Sequence, residues 1–330
     1  MSRTCLFLSS FLLIAHILLM IPSDSLAADK FVIRAGHTNP ADHIAGVELR
    51  KFKKIVEEKT NGRIEIKIYD NSSLGKGKEL LEGVQLDTIE MALLISQPPA
   101  LDPKLAIIEL PWLFNDFSHE KKVLKGPVGQ GIKDLIEKKN IKVLSLWFNG
   151  FRQVGNTIRA IHTPEDMHGL KIRVGSNPIR TEMFKILGAN PTPVPFKEVY
   201  VALKQGVLDG AESAIDSFAT MRFYEVCNHL AILNFNATPS FLLVSGDFWK
   251  KLPDDLKTIL STSAEEMMDW TYDVIGPQFH EDRINELKKT MQISYPDIPK
   301  FKKLAAPLYD DFRKQYGSEW LDLIDEAAQK

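Results

Sequence analysis

GFRQVGN at residues 150–156, GLKIRV at 169–174 and FKEVYVALKQGVLDGAES at 196–213 form the stretch that decides the fold of this chain. In GLKIRV, charged and apolar residues alternate, which predicts a strand with Arg173 on the face opposite its apolar neighbours. Arg152, in the first segment, follows an aromatic run. The alternative for an arginine on a strand is a solvated surface position.

The N-terminal half alternates strand and helix patterns. Residues 31–35 and 64–69 predict strands, the second by its regular alternation of apolar and polar residues, and 91–95 predicts a short, fully apolar strand. Between them, residues 47–56 and 78–86 have the apolar spacing of helices. This order predicts an α/β fold with a parallel or mixed sheet and helices on both of its faces.

The chain is long enough for two domains. With 330 residues it can bury more than one core. The chain is predicted to cross between the two domains at Asn149-Gly150 and at residues 234–239. A long helix, interrupted at Gly276-Pro277, is predicted over residues 254–289. Residues 28–149 plus 239–278 are assigned to domain I, and residues 150–238 plus 279–330 to domain II. The tail from residue 301 onward is expected to pack on domain II.

Residues 1–27 have the pattern of a secretory signal peptide. A positive residue precedes an apolar run, and Ser25-Leu26-Ala27 is a small-x-small motif that predicts cleavage near Ala27. Cleavage would also remove Cys5, which leaves Cys227 as the single cysteine and excludes an internal disulfide. We therefore expect a periplasmic protein, with a membrane anchor as the alternative for the apolar run.

Composition and motifs argue against several functional classes. A net charge of −2, with 25% charged residues and no basic run, disfavours nucleic-acid binding. The sequence has no GxSxG, GxxxxGK[ST] or CxxC motif, so we predict no enzyme activity and no cofactor. His37, His43 and Asp42 lack a further metal ligand nearby, which favours helix capping or cleft lining over a metal site.

Three segments resemble, in order and spacing, the substrate-binding proteins of TRAP (tripartite ATP-independent periplasmic) transporters, the DctP-like family. These segments are GFRQ at 150–153, TPEDMHGLKIRV at 163–174 and LGANPTPVPFKEVYVALKQGVLDGAE at 187–212. The similarity extends from about Phe31 to the C-terminus. It implies a type II-like periplasmic-binding fold, in which two α/β domains enclose a ligand cleft and a long helix runs along both.

The resemblance also implies a function. It predicts a monomeric receptor that captures an organic acid carboxylate and delivers it to the membrane permease subunits of a TRAP transporter. Two alternatives stay open, a ligand-binding partner of a sensor kinase and a secreted enzyme acting on a carboxylate substrate. In the enzyme, only His37 or Glu212 could serve as the base.

The resemblance places Arg173 against the ligand carboxylate and Arg152 beside it as a second contact. An arginine suits this role because its planar guanidinium stays protonated and can bind both carboxylate oxygens. Phe196 is placed as an aromatic wall, and Ser213 stands where many members of the family have an asparagine. We expect Glu212 to orient an arginine, since a carboxylate would repel an anionic ligand.

Further candidates for ligand contact, at loop ends and in the aromatic run, are Ser176, His37, Thr38 and Trp147. Ile95 falls where sugar-acid binders of the family can have a carboxylate. Trp147, Phe148 and Phe218 are expected to offer apolar walls. Because a buried hydroxyl without a partner is costly, these features favour an aromatic or sparsely hydroxylated carboxylate, with a sugar acid as the alternative.

Overall fold

The computed structural model describes residues 29–175 and 177–329. The predicted signal peptide at 1–27 and the candidate Ser176 lie outside the described residues. The strands are β1 (Phe31–Gly36), β2 (Ile64–Tyr69), β3 (Met91–Leu94), β4 (Ile141–Trp147), β5 (Arg152–Asn156), β6 (Lys171–Val174), β7 (Asn190–Pro193), β8 (Gly210–Ala214), β9 (His229–Ala231), β10 (Ser240–Ser245) and β11 (Gln292–Ser294).

The helices alternate with these strands and cover them. They are α1 (Ile44–Lys59), α2 (Gly77–Gln85), α3 (Phe117–Lys125), α4 (Pro127–Glu137), α5 (Pro178–Ile186), α6 (Val199–Lys204), α7 (Ile215–Thr220), α8 (Gly246–Lys251), α9 (Asp254–Trp270), α10 (Gly276–Leu287), α11 (Ile298–Tyr316) and α12 (Glu319–Gln329). In the described part of the chain, none of them combines the length and hydropathy of a transmembrane segment.

The strands form two sheets, one in each domain. The first has the order β2-β1-β3-β10-β4, in which β1, β2 and β3 are parallel and β10 is antiparallel to both of its neighbours. The second has the order β11-β9-β5-β8-β6-β7 and also mixes parallel and antiparallel pairs. The predicted α/β class with two domains is confirmed.

Local sequence accounts for the elements of the first domain. β2 buries Ile64 and Ile66 and turns its charged residues outward, whereas β3 is buried along its whole length. His43 caps the N-terminus of α1, and its Nδ1 accepts a hydrogen bond from the amide of Ala45 at 3.1 Å. Capping of this kind satisfies an amide that the helix itself leaves free. The capping role predicted for His43 is therefore confirmed.

The chain passes from the first sheet to the second between β4 and β5. Gly150, in this connection, has a φ of +88°, a conformation that glycine adopts without steric cost. The chain returns between β9 and β10, through Asn234 with a φ of +45°. Arg152, the first residue of β5, consequently lies where the two domains meet. The amide of Arg152 donates to the carbonyl of Asn236, which ties the two connections together at 2.7 Å.

The long helix predicted near the C-terminus is present and interrupted. α9 and α10 are joined by a π turn at Thr271–Ile275. Pro277 has no N–H to donate to the preceding turn, which explains why the regular hydrogen-bond pattern changes here. α9 contacts α1 and β4 of the first domain, and α10 contacts α7 of the second domain. The helix thus runs along both domains.

The C-terminal tail departs from the prediction. α11 packs against α5 of the second domain as expected, but α12 packs on α3 and α4 of the first. The backbone carbonyl of Ile324 lies 2.9 Å from Nε2 of His119, and Trp320 packs against Gly131. The reason is an apolar stripe on α12 that is buried only by crossing back to the first domain.

Candidate ligand-binding site

A cavity of about 460 Å³ lies between the two domains. Uncharged polar residues of the first domain in its wall are Thr38, Asn39, Ser72, Gln85, Ser96, Gln97 and Asn149, and Lys76, Lys78 and Glu82 also line it. The second domain contributes Arg152, Arg173, Gly175, Phe196, Ser213 and Ser217. The volume is in the usual range for a small-molecule site, and such sites commonly lie at domain interfaces.

Sheet order brings the predicted arginines together. β8 lies between β5, which begins with Arg152, and β6, which contains Arg173. Glu212 and Ser213 are neighbours on β8, and successive side chains on a strand point to opposite faces. Arg152, Arg173 and Ser213 all line the cavity, whereas Glu212 is fully buried behind it.

Glu212 is the centre of a buried network of arginines. Its Oε2 accepts from Nε of Arg152 at 2.5 Å, and its Oε1 accepts from the amide of Gly175 at 3.0 Å and from Nη1 of Arg180 at 3.1 Å. Burial acts to raise the pKa of Glu212, but Arg152, Arg180 and Arg173 outweigh it and lower the pKa to about 2. Glu212 therefore orients arginines, as predicted.

Arg173 is the arginine that this network leaves least neutralised. Its Nε donates to the carbonyl of Val194 at 2.9 Å, and its guanidinium lies 5.5 Å from the ring centroid of Phe196. Among the described residues, its one carboxylate within 4 Å is Glu212, at 3.9 Å from Nη1, which is too long for a hydrogen bond. Burial lowers the pKa of Arg173 to about 10, so it stays protonated at neutral pH.

The buried charges do not balance. Three guanidinium groups, those of Arg152, Arg173 and Arg180, face two carboxylates, Glu212 and Glu109. One positive charge remains in excess at the wall of the cavity. Because an unneutralised charge in a low-dielectric site is costly, the arrangement favours binding of an anion.

Two of the candidates from the first domain have different positions. Thr38, just beyond β1, lines the cavity. His37 is fully buried beside it, with Nε2 at 2.7 Å from Oδ1 of Asp70, and does not line the cavity. Burial lowers the pKa of His37 to about 4, against the opposing effect of Asp70, so His37 is neutral near pH 7. The candidate role of His37 as a ligand contact is therefore corrected to one of support behind Thr38.

The predicted apolar walls are wrong. Trp147, Phe148 and Phe218 are buried in the hydrophobic core and none of the three lines the cavity. Trp147 belongs to β4 and directs its Nε1 to the carbonyl of Ala264 in α9 at 3.0 Å, which fixes it between sheet and helix. Phe196, half-buried, is the predicted aromatic residue that does line the cavity.

Sequence reasoning missed most of the polar wall. Asn39, next to the predicted Thr38, follows the end of β1, Ser72 follows the end of β2, and Ser96 with Gln97 follows the end of β3. The carboxyl ends of parallel strands meet at one edge, where α/β proteins place their ligands, and this rule could have identified them. Asn149 was predicted only as part of the connection between the two domains, not as a cavity residue. Its Nδ2 donates to Thr238, while its buried Oδ1 has no hydrogen-bond partner among the described residues.

Metal binding has no support in the observed geometry. Within residues 29–175 and 177–329, no three or more His, Cys, Asp or Glu side chains are grouped as metal ligands. His43 is occupied by its helix cap, and His37 by Asp70.

Comparison with known proteins identifies the family. A sequence model described as "Bacterial extracellular solute-binding protein, family 7" (DctP) matches residues 35–315. The chain belongs to this DctP family. The 2,3-diketo-L-gulonate-binding periplasmic protein YiaO of Escherichia coli is 33% identical over 74% of this chain and 74% of its own length.

Solved members of the DctP family share the whole architecture. A TRAP periplasmic solute-binding protein of Polaromonas, bound to D-erythronate, is 31% identical, with a TM-score of 0.84 over 89% of this chain and 98% of its own. The sugar acid binding protein DctPAm of Advenella mimigardefordensis, in complex with galactonate, is 27% identical, with a TM-score of 0.87 over 91% of this chain and 98% of its own. TRAP solute-binding proteins are periplasmic receptors, and the predicted family is confirmed.

Proposed function

We propose that this DctP-family chain is the periplasmic receptor of a TRAP transporter, which captures a hydroxylated organic acid of the sugar-acid class and delivers it to a membrane permease. The observation that carries the proposal is Arg173, a buried guanidinium to which no carboxylate of the described residues is hydrogen-bonded, in the wall of a cavity between two domains. The proposed domains are residues 28–149 plus 239–278 and residues 150–238 plus 279–330, except that α12 packs on the first of them.

The carboxylate of the acid binds Arg173 in this proposal. A carboxylate that leaves water needs charge-assisted hydrogen bonds in return, and the excess positive charge of the cavity wall supplies the matching charge. Arg152, held through its Nε by Glu212, is proposed to contact the carboxylate or an oxygen next to it. Phe196 packs against the apolar face of the acid, and Ser213 contributes a hydroxyl.

Hydroxyl groups of the acid are proposed to bind the polar residues of the first domain. The relevant residues are Thr38, Asn39, Ser72, Ser96, Gln97 and Asn149. Such a wall favours a hydroxylated ligand over an aromatic one, because each hydroxyl taken from water needs a partner. The erythronate and galactonate bound by relatives have this chemistry. A ligand that contacts both domains stabilises their closed arrangement.

A thermal-shift series tests the ligand class. D-galactonate, L-gulonate and D-erythronate are expected to raise the melting temperature by about 5 °C at roughly 100 times Kd, because they bind the folded state alone. Galactitol, which matches galactonate but has a hydroxymethyl group in place of the carboxylate, serves as control and should give no shift. Succinate and benzoate complete the series. A larger shift with benzoate than with any hydroxylated acid would contradict the proposed ligand class.

The affinity is expected to be nearly constant between about pH 6 and pH 8. Arg173 stays protonated in this range, since its pKa is about 10, and His37 stays neutral, since its pKa is about 4. A bound carboxylate favours the protonated guanidinium, so affinity should fall only as the pH rises through about 10. Isothermal titration calorimetry at pH 6, 7, 8 and 10 measures this. A marked gain in affinity as pH falls from 8 to 6 would instead indicate a histidine in contact with the acid.

An enzyme is the less favoured candidate. His37, one of the two possible bases, is buried and bonded to Asp70. Glu212, the other, is held by arginines that lower its pKa to about 2, which makes it a poor proton acceptor. We therefore expect a bound acid to be recovered chemically unchanged by mass spectrometry after prolonged incubation. Neighbouring genes for two multi-span membrane proteins would support the transporter, and a neighbouring sensor kinase gene would support the signalling alternative.

A further inference from the structure

Arg180, on α5, is a fully buried arginine that does not line the cavity. Its Nε and Nη2 donate to the two carboxylate oxygens of Glu109 at 2.8 and 3.0 Å, and Nη2 also donates to Oγ of Ser96 at 2.8 Å. Its Nη1 donates to Oε1 of Glu212 at 3.1 Å. Arg180 therefore joins residues of the first domain to the carboxylate around which the binding arginines are arranged.

Arg180 and Arg173 approach the same oxygen of Glu212. Oε1 is 3.1 Å from Nη1 of Arg180 and 3.9 Å from Nη1 of Arg173. The amide of Gly175 also donates to Oε1, and Arg152 donates to Oε2. A shift of about 1 Å would bring Arg173 within hydrogen-bond distance of Oε1. The present partners of Glu212 hold it away from that shorter contact.

A paired Arg173 would be a weaker binder of anions. Glu212 and a ligand carboxylate would compete for the same guanidinium, and the ligand would have to displace a buried ion pair before binding. Because Arg180 and Arg173 approach the same oxygen of Glu212, we infer that Arg180 is a positioning residue of the site. It holds Glu212 so that Arg173 remains available to the carboxylate of an incoming acid. This inference rests on the proposed function.

The test removes Arg180 without changing the net charge of the buried cluster. The double variant Glu109→Gln/Arg180→Met deletes one negative and one positive charge together, so a loss of affinity cannot be attributed to a weaker overall field. The single variant Glu109→Gln reports the effect of losing Glu109 alone. D-galactonate and D-erythronate are the probes, measured by calorimetry. We expect the double variant to bind about tenfold more weakly than the wild-type chain, whose buried cluster has the same net charge.

Glu212→Gln provides the decisive comparison. If Glu212 captures Arg173 once Arg180 is gone, neutralising Glu212 should improve affinity about tenfold more in the double variant than in the wild-type chain. If Arg180 only supported folding, or acted only through its charge, Glu212→Gln would change the affinity equally in the wild-type chain and in the double variant. Equal changes would therefore overturn the inference. Thermal unfolding of each variant verifies that it is folded under the conditions of the titration.

A measurement made without ligand separates the proposed role of Arg180 from the proposed ligand class. In a ligand-free crystal structure of Glu109→Gln/Arg180→Met, the 3.9 Å separation between Nη1 of Arg173 and Oε1 of Glu212 should shorten to about 3 Å. An unchanged separation would refute the role of Arg180 even if the wild-type chain binds both acids. If the wild-type chain binds neither acid, the proposed ligand class fails, and this separation alone decides the role of Arg180.

Discussion

Replacing Arg173 with lysine is expected to weaken binding of the acid that gives the largest thermal shift by about 2–3 kcal/mol, roughly 30- to 150-fold in Kd. Lysine keeps the charge, but its single ammonium cannot donate in parallel to two carboxylate oxygens. It would also have to replace the hydrogen bond that Nε of Arg173 makes to Val194. Calorimetry on the wild type and the variant measures the difference.

The matched control for this variant is Arg222→Lys. Arg222 is an exposed arginine, with 66% of its side chain accessible, paired with Glu225 three residues along the chain. The same substitution there should leave affinity unchanged, because a solvated pair contributes little. A Kd for Arg173→Lys within twofold of the wild-type value would remove Arg173 from the site. An equal loss in both variants would point to a general effect of arginine replacement.

Arg180→Met on its own is expected to lower the free energy of unfolding by about 3–5 kcal/mol. The substitution leaves Glu109, which is 1% exposed, without its bidentate partner, and an uncompensated buried charge is strongly destabilising. Removing both partners in Glu109→Gln/Arg180→Met should recover most of this loss, because no isolated charge remains. Chemical denaturation of the two variants and the wild type measures the difference.

Lys54→Met is the surface control for that stability series. Lys54 and Glu58 are one turn apart on α1, with side chains 76% and 66% exposed. An exposed pair of this kind contributes little, so the control should stay within about 0.5 kcal/mol of the wild type. If the double variant were as unstable as Arg180→Met alone, the cause would be lost packing or lost hydrogen bonds to Ser96 and Glu212, and the argument from an isolated Glu109 would be wrong.

The ligand class shows how a correct local observation led to an aromatic preference that the ligands of the solved relatives do not support. Ile95 and Ser213 do line the cavity, as the sequence suggested, and neither supplies a charged or amide group. The aromatic part of the preference for an aromatic or sparsely hydroxylated acid relied on side chains such as Trp147, which packs in the core. It also overlooked residues such as Asn39 and Gln97 beyond the strand ends. Whether an aromatic side chain near a site faces the ligand or the core depends on which distant helix covers its strand.

The sequence by itself determined the α/β class, the passage between domains near Asn149-Gly150, and the two arginines and Phe196 of the cavity wall. These features are encoded locally, by apolar periodicity, by glycine and by motifs whose spacing resembles a family. The tertiary structure alone decided that Arg180 reaches Glu109, 71 residues away along the chain, and that the first domain presents a polar wall. Such contacts depend on how separate elements pack, and no local pattern specifies which buried donor meets which acceptor.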